Sequence, residues 1–121
     1  MALKTPEPVC LAEVITNMLR GKWSVHILHI LKLQGALNFN RLHRNIHGIS
    51  AKVLNEQLGY LIVAGVLQRV PTNNSRQEVI YSFTEQGQEL CEVLDVLDEL
   101  ARRWKTPQLP MDVPLQTALE S

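Results

Sequence analysis

The sequence predicts a mainly α-helical domain with one small β-hairpin, and three observations support this prediction. Over the first half of the chain, apolar residues recur at steps of three and four, the spacing of one helix face. After Gly65 the period changes to about two, as in strands, and after Thr84 it is helical again. The chain has 121 residues, the length of one domain, and its 45% hydrophobic and 20% charged residues suit a packed core.

Three helices are predicted before residue 47. The first has apolar residues at helical spacing up to Leu19 and is broken at Gly21. The second begins near Ser24, carries a similar apolar face and ends at Gly35. The third is short and amphipathic, with its apolar side chains inward and its basic side chains outward. The inward residues are Phe39, Leu42 and Ile46, and the outward residues are Arg41, His43 and Arg44.

A fourth helix is predicted over about residues 51–64. The turn Gly48-Ile49-Ser50 precedes it, and Ser50 is a good N-cap because its hydroxyl can accept a bond from a free backbone amide. Gly65 is a natural residue to end this helix. Two strands follow within about residues 66–84, joined by a polar loop of turn-forming residues, so this segment is predicted to be a β-hairpin.

A long last helix is predicted over about residues 85–104, with Thr84 as its N-cap. Its apolar residues are spaced as in the seam of a coiled coil, which predicts an interface with a second copy of the chain; a role within one chain is the alternative. The seam consists of Leu90, Leu94, Leu97, Ala101 and Trp104. Residues 105–121 contain three prolines and are predicted to form an extended or mobile tail outside the domain at 9–104.

Several classes of protein are excluded by simple features of the sequence. No apolar run approaches the roughly 18 residues of a membrane span, and the N-terminus lacks the apolar core of a signal peptide. Two cysteines, Cys10 and Cys91, cannot form a disulfide framework of the secreted kind, so we expect a soluble cytosolic protein with free thiols. Motifs for phosphate loops, nucleophiles and metal ligands are lacking, so we expect no enzyme activity, no cofactor and no metal site.

The formal net charge is zero, but the charges are distributed unevenly. Residues 20–76 hold eight basic residues and one acidic residue, a net charge of +7. Residues 77–121 carry −6, and the first nineteen residues carry −1. A basic stretch with two short helices, a turn and a hairpin is typical of a winged helix-turn-helix. In that fold one helix enters the major groove of DNA and the hairpin contacts neighbouring phosphates.

Four motifs, in order along the chain, make a family resemblance specific. They are Arg20-Gly21-Lys22-Trp23, Phe39-Asn40-Arg41-Leu42, Gly48-Ile49-Ser50-Ala51-Lys52-Val53-Leu54 and Tyr81-Ser82-Phe83-Thr84-Glu85-Gln86-Gly87. They resemble the Gly-Gly-Lys-Trp, Phe-Asn/Ser-Glu-Leu, Gly-Ile-Ser-x-Lys-x-Leu and Tyr-x-Leu-Thr-x-x-Gly motifs of HxlR-type transcriptional regulators, relatives of the MarR group. The similarity covers roughly Val9 to Trp104. It implies a bacterial cytosolic homodimer that binds a pseudo-palindromic operator, usually as a repressor.

The resemblance also implies which residues contact DNA. We expect Ser50 to touch a phosphate, while Lys52 and Asn55 reach base edges, since Lys can read guanine and Asn can read adenine. Basic residues outside that helix are expected to contact backbone phosphates. For Arg76, the one in the hairpin, a contact in the minor groove is the alternative. These basic residues are Arg41, Arg44, His43 and Arg76. The alternatives are that these are ordinary solvated side chains and that the winged helix docks a protein instead of DNA.

Cys10 lies about where these regulators often carry an N-terminal cysteine, which some relatives use as a sensor. The resemblance therefore implies a small electrophile or oxidant as an effector, with Cys91 of the partner subunit as a candidate second thiol. The alternative is that Cys10 is a small buried hydrophobic residue.

Overall fold

The computed structural model describes residues 10–19, 21–74 and 78–104. These residues form five helices and three short strands, and the helices and the hairpin have the predicted order. The helices are α1 (Ala12–Met18), α2 (Ser24–Gln34), α3 (Phe39–Asn45), α4 (Ala51–Val63) and α5 (Glu85–Arg103). The strands are β1 (Leu37–Asn38), β2 (Leu67–Pro71) and β3 (Val79–Phe83). The winged helix-turn-helix fold is confirmed, while the predicted tail at 105–121 lies outside the described residues.

Three helices begin at a side chain that accepts a hydrogen bond from a free backbone amide. A cap of this kind stabilises a helix by about 1 kcal/mol. The pairs are Asn38 with the amide of Arg41 at 2.8 Å, Ser50 with that of Val53 at 3.1 Å, and Thr84 with that of Gly87 at 3.0 Å. The Ser50 and Thr84 caps confirm the prediction, and the Asn38 cap is an addition to it.

The strands form an antiparallel sheet in the order β1-β3-β2. β2 and β3 pair from Leu67 opposite Phe83 to Pro71 opposite Val79, which confirms the hairpin. β1 pairs with the other edge of β3 and was not predicted. A strand of two residues is too short to show a period, and its partner lies far along the chain, so only the folded structure reveals it.

The hydrophobic core lies between α2, α3 and α4 and one face of the sheet. Its most deeply buried residues are Ile27, Leu28, Leu31, Leu42, Ile46, Leu54, Leu58, Leu61, Val66 and Leu67. The predicted inward residues Leu42 and Ile46 are confirmed, and Phe39 is half-buried against this cluster. Ser24 is a buried polar residue whose hydroxyl donates to Gln57 Oε1 at 3.1 Å, so it joins the start of α2 to α4.

The two terminal helices carry apolar surfaces that a single chain does not cover. α1 buries none of its residues. On α5, Leu90 is buried in the core and Leu94 packs against it, whereas Leu97 and Trp104 are 54% and 70% exposed and Ala101 is also exposed. The predicted seam is therefore divided, since its first turns pack on the chain's own core and its last turns form an open apolar surface.

Candidate nucleic-acid interface

The helix-turn-helix consists of α3, the connection at residues 46–50 and α4. The connection is anchored by the buried side chains of Ile46 and Ile49, and Ser50 then caps α4. The inner side of α4 is held in the core by Leu54, Leu58 and Leu61. This packing determines which side of α4 faces the solvent.

The outward side of α4 carries three polar residues, Lys52, Asn55 and Glu56, and all three are exposed. Their spacing of three and four places them next to one another on the helix surface. Among the residues that the structure describes, Lys52 forms no ion pair, so its ammonium group is available to an anion. Glu56 would repel a phosphate, and a cytosine amino group is the DNA partner that its carboxylate suits.

The predicted phosphate contacts on α3 are also solvent-facing. Arg41 and Arg44 are exposed, and neither side chain forms an ion pair within the described ranges. The structure therefore places unpaired basic side chains on both helices of the motif. Arg76, the predicted contact in the hairpin, lies outside the described residues, so its role stays a prediction.

His43 occupies a different environment from the outward one expected for it. It is half-buried, its Nε2–H donates to the carbonyl oxygen of Ile49 at 2.9 Å, and its ring stacks on that of Phe39 with centroids 6.1 Å apart. Ile49 directly precedes the Ser50 cap. The ring turns inward because the connection offers it both an acceptor and an aromatic face, so His43 links α3 to the start of α4.

Replacing His43 with leucine is expected to reduce the free energy of unfolding by about 1 kcal/mol, the net contribution of one hydrogen bond. Urea denaturation without DNA measures this effect. A glutamine at this position keeps an N–H donor and should restore part of the stability. Unchanged stability of the leucine variant combined with weaker DNA binding would instead support the phosphate contact expected from the sequence.

The wing consists of β2 and β3, and Glu78 organises its outer end. The amide and the hydroxyl of Thr72 donate to the Glu78 carbonyl oxygen at 2.8 and 2.9 Å. Amide groups of Asn74 and Asn38 donate to the Glu78 carboxylate at 2.9 and 3.4 Å. Because two amide groups already donate to this carboxylate, its negative charge is partly compensated where the wing approaches DNA.

Arg69 on β2 is a basic residue of the wing that the sequence did not single out. It is exposed, and its guanidinium carbon lies 6.0 Å from the centroid of the Tyr81 ring. Strand periodicity does not reveal it, because Leu67 lies on the same face and is buried. Arg69 pairs with the buried Tyr81 across the hairpin, so its exposure is a property of the folded chain.

The two cysteines are free and have different environments. Cys10 is exposed, contrary to the alternative of a buried residue, and Cys91 is buried on α5. Burial raises the pKa of the Cys91 thiol, and the ammonium group of Lys32 partly opposes this increase. Because Cys10 is exposed and Cys91 is buried, Cys10 is better placed to react with an oxidant or electrophile.

Residues 10–19, 21–74 and 78–104 contain neither a metal-binding cluster nor a membrane-spanning helix. No group of three or more His, Cys, Asp or Glu side chains there is arranged to hold a metal ion. None of the described helices combines the length and the apolar composition that a membrane span requires.

The chain, with α3, α4 and the wing arranged in this way, matches a known family. The model of the HxlR-like helix-turn-helix family matches residues 18–109, which is most of the chain. The chain belongs to the HxlR family. An HTH-type transcriptional regulator of Methanothermobacter thermautotrophicus is 31% identical over 102 residues, which cover 84% of this chain and 77% of the relative. The resemblance predicted from the four motifs and the class of transcriptional regulator are thereby confirmed.

Solved structures of two regulators have a similar fold. The reduced form of the transcriptional regulator YodB from B. subtilis is 27% identical, with a TM-score of 0.72, and the match covers 84% of this chain and 100% of YodB. The reduced form of the redox regulator HypR is 25% identical, with a TM-score of 0.67, and covers 76% of this chain and 90% of HypR.

The structure gives a physical reason for the HxlR motif at residues 81–87. Tyr81 is buried in the sheet. The Thr84 hydroxyl accepts the bond that caps α5 and donates to the carbonyl oxygen of Gly65 at 2.5 Å. A Cβ on Gly87 would lie 2.0 Å from the carbonyl oxygen of Val66, so this position has room only for glycine. The motif thus joins α5 to the backbone that follows α4.

Proposed function

We propose that this HxlR protein is a sequence-specific transcriptional repressor that binds a pseudo-palindromic operator as a cytoplasmic homodimer. The observation that carries the proposal is the outward face of α4, whose opposite side is held in the core while Lys52 and Asn55 are exposed. This helix lies in the stretch of net charge +7. An exposed polar helix within a basic region suits the major groove of DNA.

The proposed contacts divide into two kinds. Lys52 and Asn55 read base edges from α4, and each good contact contributes about 1–3 kcal/mol of discrimination between bases. The other contacts hold phosphates and set the orientation of the protein on the duplex, without reading sequence. They come from Ser50, Arg41, Arg44, Arg69 and Arg76.

The homodimer is supported by apolar surfaces at both ends of the chain. A groove of about 350 Å³ lies between α1 and α5, and most of its lining side chains are apolar. Beside it Val93 is 54% exposed, and Trp104 at the end of α5 is 70% exposed. A second copy would cover these surfaces and place two recognition helices about 34 Å apart, one turn of DNA.

Lys52→Ala is expected to weaken operator binding about tenfold, within the range of one lost base contact. An electrophoretic shift with DNA from upstream of the protein's own gene, over a series of salt concentrations, measures the change. Arg103→Ala is the matched control, because Arg103 is exposed on the acidic helix α5 and its removal takes away one positive charge outside the motif. Equal affinity and an equal salt slope for the Lys52 variant and the wild type would refute the role of Lys52.

A protein-docking module is the second candidate function, because winged helices also bind proteins. The same electrophoretic series separates the two candidates. A DNA-binding regulator gains affinity steeply as salt is lowered, since bound cations are released from the phosphates it contacts. A wild-type chain that shifts no DNA at 50 mM salt would favour the docking module.

The repressor is also proposed to respond to oxidants or electrophiles through Cys10. Three observations support this: Cys10 is exposed, Cys91 is buried, and HypR is named as a redox regulator. YodB has been solved in a reduced form and after treatment with diamide. Cys10 is the reacting thiol in this proposal, and Cys91 of the partner subunit is its candidate partner in a disulfide.

Diamide is expected to lower operator affinity of the wild type, whereas the Cys10→Ser variant keeps its affinity. Cys91→Ser is the matched control. It keeps Cys10, the thiol that reacts first with diamide, and removes only the candidate disulfide partner. Non-reducing electrophoresis reports whether a disulfide-linked dimer forms in each variant. A Cys10→Ser variant that responds to diamide or methylglyoxal like the wild type would contradict the sensor role.

A further inference from the structure

A cleft between α2 and α5 is separate from the proposed DNA contacts. Its volume is about 420 Å³, which lies in the range of small-molecule sites. Lys22 lines it from the turn that precedes α2, His26 and His29 line it from α2, and Leu94 and Asp98 line it from α5. The cleft is therefore bounded by two helices, one of which also connects to the recognition helix.

Most of the exposed surface inside the cleft is apolar. Val25 contributes to it from α2 and Leu94 from α5, while His26 and His29 add two imidazole rings, and none of the lining side chains is a Phe, Tyr or Trp. Val25 is 44% exposed, so the cleft contains apolar surface that water still contacts. An aliphatic ligand would gain free energy by covering it.

The charges around the cleft favour an anion. Its acidic residue, Asp98, is already paired with Arg102 at 2.6 Å. Lys32, which also lines the cleft, is paired with Asp95. Lys22 forms no ion pair among the described residues, and its Nζ lies 4.8 Å from the centroid of the Trp23 ring. An anion entering the cleft would meet an uncompensated ammonium group.

We propose that this cleft binds a short aliphatic monocarboxylate. The carboxylate would pair with Lys22, with His26 of α2 as a second polar group, and the hydrocarbon chain would lie along Val25 and Leu94. An ammonium group without an ion pair, together with apolar surface, selects this class over a neutral alcohol, a sugar or a cation.

The same helix provides a route from the cleft to the DNA interface. Ser24 lies on the buried side of α2, next to Val25 of the cleft, and its hydroxyl donates to Gln57 on α4. A carboxylate that changes the position of α2 against α5 would therefore act on the recognition helix. This regulatory step rests on the proposed function, whereas the binding site does not.

Calorimetric titration of the full-length chain without DNA tests the site. Hexanoate is expected to bind at least tenfold more tightly than hexanamide, its neutral analogue. It is also expected to bind about fifteenfold more tightly than butanoate, since it has two more methylenes and each buried methylene contributes about a fourfold gain. Lys22→Met should weaken hexanoate binding at least tenfold and remove the preference over hexanamide. Arg103→Met loses the same charge outside the cleft and should bind hexanoate like the wild type.

The outcomes separate the site from its regulatory role. Lack of hexanoate binding, equal binding of hexanamide, or an unchanged affinity in Lys22→Met would overturn the site, including the case in which a second copy of the chain fills the cleft. If hexanoate binds as expected and operator affinity stays the same in its presence, the coupling through Ser24 is wrong and the site stands. A wild type that fails to bind operator without hexanoate contradicts the proposed function alone.

Discussion

Gly87→Ala is expected to lower the free energy of unfolding by about 3 kcal/mol, at the upper end of the usual cost of overpacking. The added Cβ would lie 2.0 Å from the carbonyl oxygen of Val66 and 3.1 Å from Cδ1 of Phe83. The closest atom belongs to the backbone, so it cannot move away by rotating a side chain. α5 would have to shift as a whole.

A shift of α5 would also disturb the hydrogen bonds that hold its N-terminus. The Thr84 amide donates to the Val66 carbonyl at 3.1 Å, and the Thr84 hydroxyl donates to the Gly65 carbonyl at 2.5 Å. These bonds lie beside the space that the new methyl group would occupy. The cost therefore includes both steric strain and weakened bonds between α5 and the segment after α4.

Urea denaturation measures this loss, and thermal unfolding should show a melting temperature lower by roughly 10 °C. Gly59→Ala is the matched control, because it makes the same change inside a helix where an added Cβ has no atom within 4 Å. That variant should gain about 0.5–1 kcal/mol from the higher helix propensity of alanine. Equal stability of the Gly87 and Gly59 variants would show that the close approach of α5 to Val66 is absent in solution.

Trp104→Lys is expected to separate the proposed dimer and to weaken operator binding at least a hundredfold, since each monomer then holds only one half-site. Trp104 is 70% exposed in one chain and lies directly after α5. A lysine at this helix end is compatible with the helix dipole, so the monomer should stay folded. The added positive charge would by itself favour DNA, so a loss of affinity is attributed to the lost interface.

Sedimentation velocity measures the oligomeric state, and the electrophoretic shift measures operator affinity. Leu33→Lys is the matched control: it also replaces an exposed apolar residue, 65% exposed on α2, and adds the same charge. It should remain dimeric and bind operator at least as well as the wild type. A monomeric wild type at micromolar concentration, or a dimeric Trp104 variant, would contradict an interface at the end of α5.

The sequence determined the order of the elements and the caps of two helices, because these depend on neighbouring residues. Ser50 and Thr84 could be identified as caps from two local signals, a hydroxyl side chain and the helical spacing of the apolar residues that follow it. A net charge of zero is untypical of a DNA-binding protein, but the positive charges lie mainly in residues 20–76 and the negative charges mainly in residues 77–121. That distribution, together with the four motifs, was sufficient to predict the HxlR family.

Tertiary packing decided the features that depend on residues far apart in the chain. A coiled-coil spacing looks the same whether Leu90 packs in its own core or against a second copy, and only the folded chain divides the seam. His43 turns inward because Phe39 and the Ile49 carbonyl lie beside it, and the cleft between α2 and α5 exists because two distant helices approach each other. Local spacing determines helices and caps, whereas burial is a property of the whole packed chain.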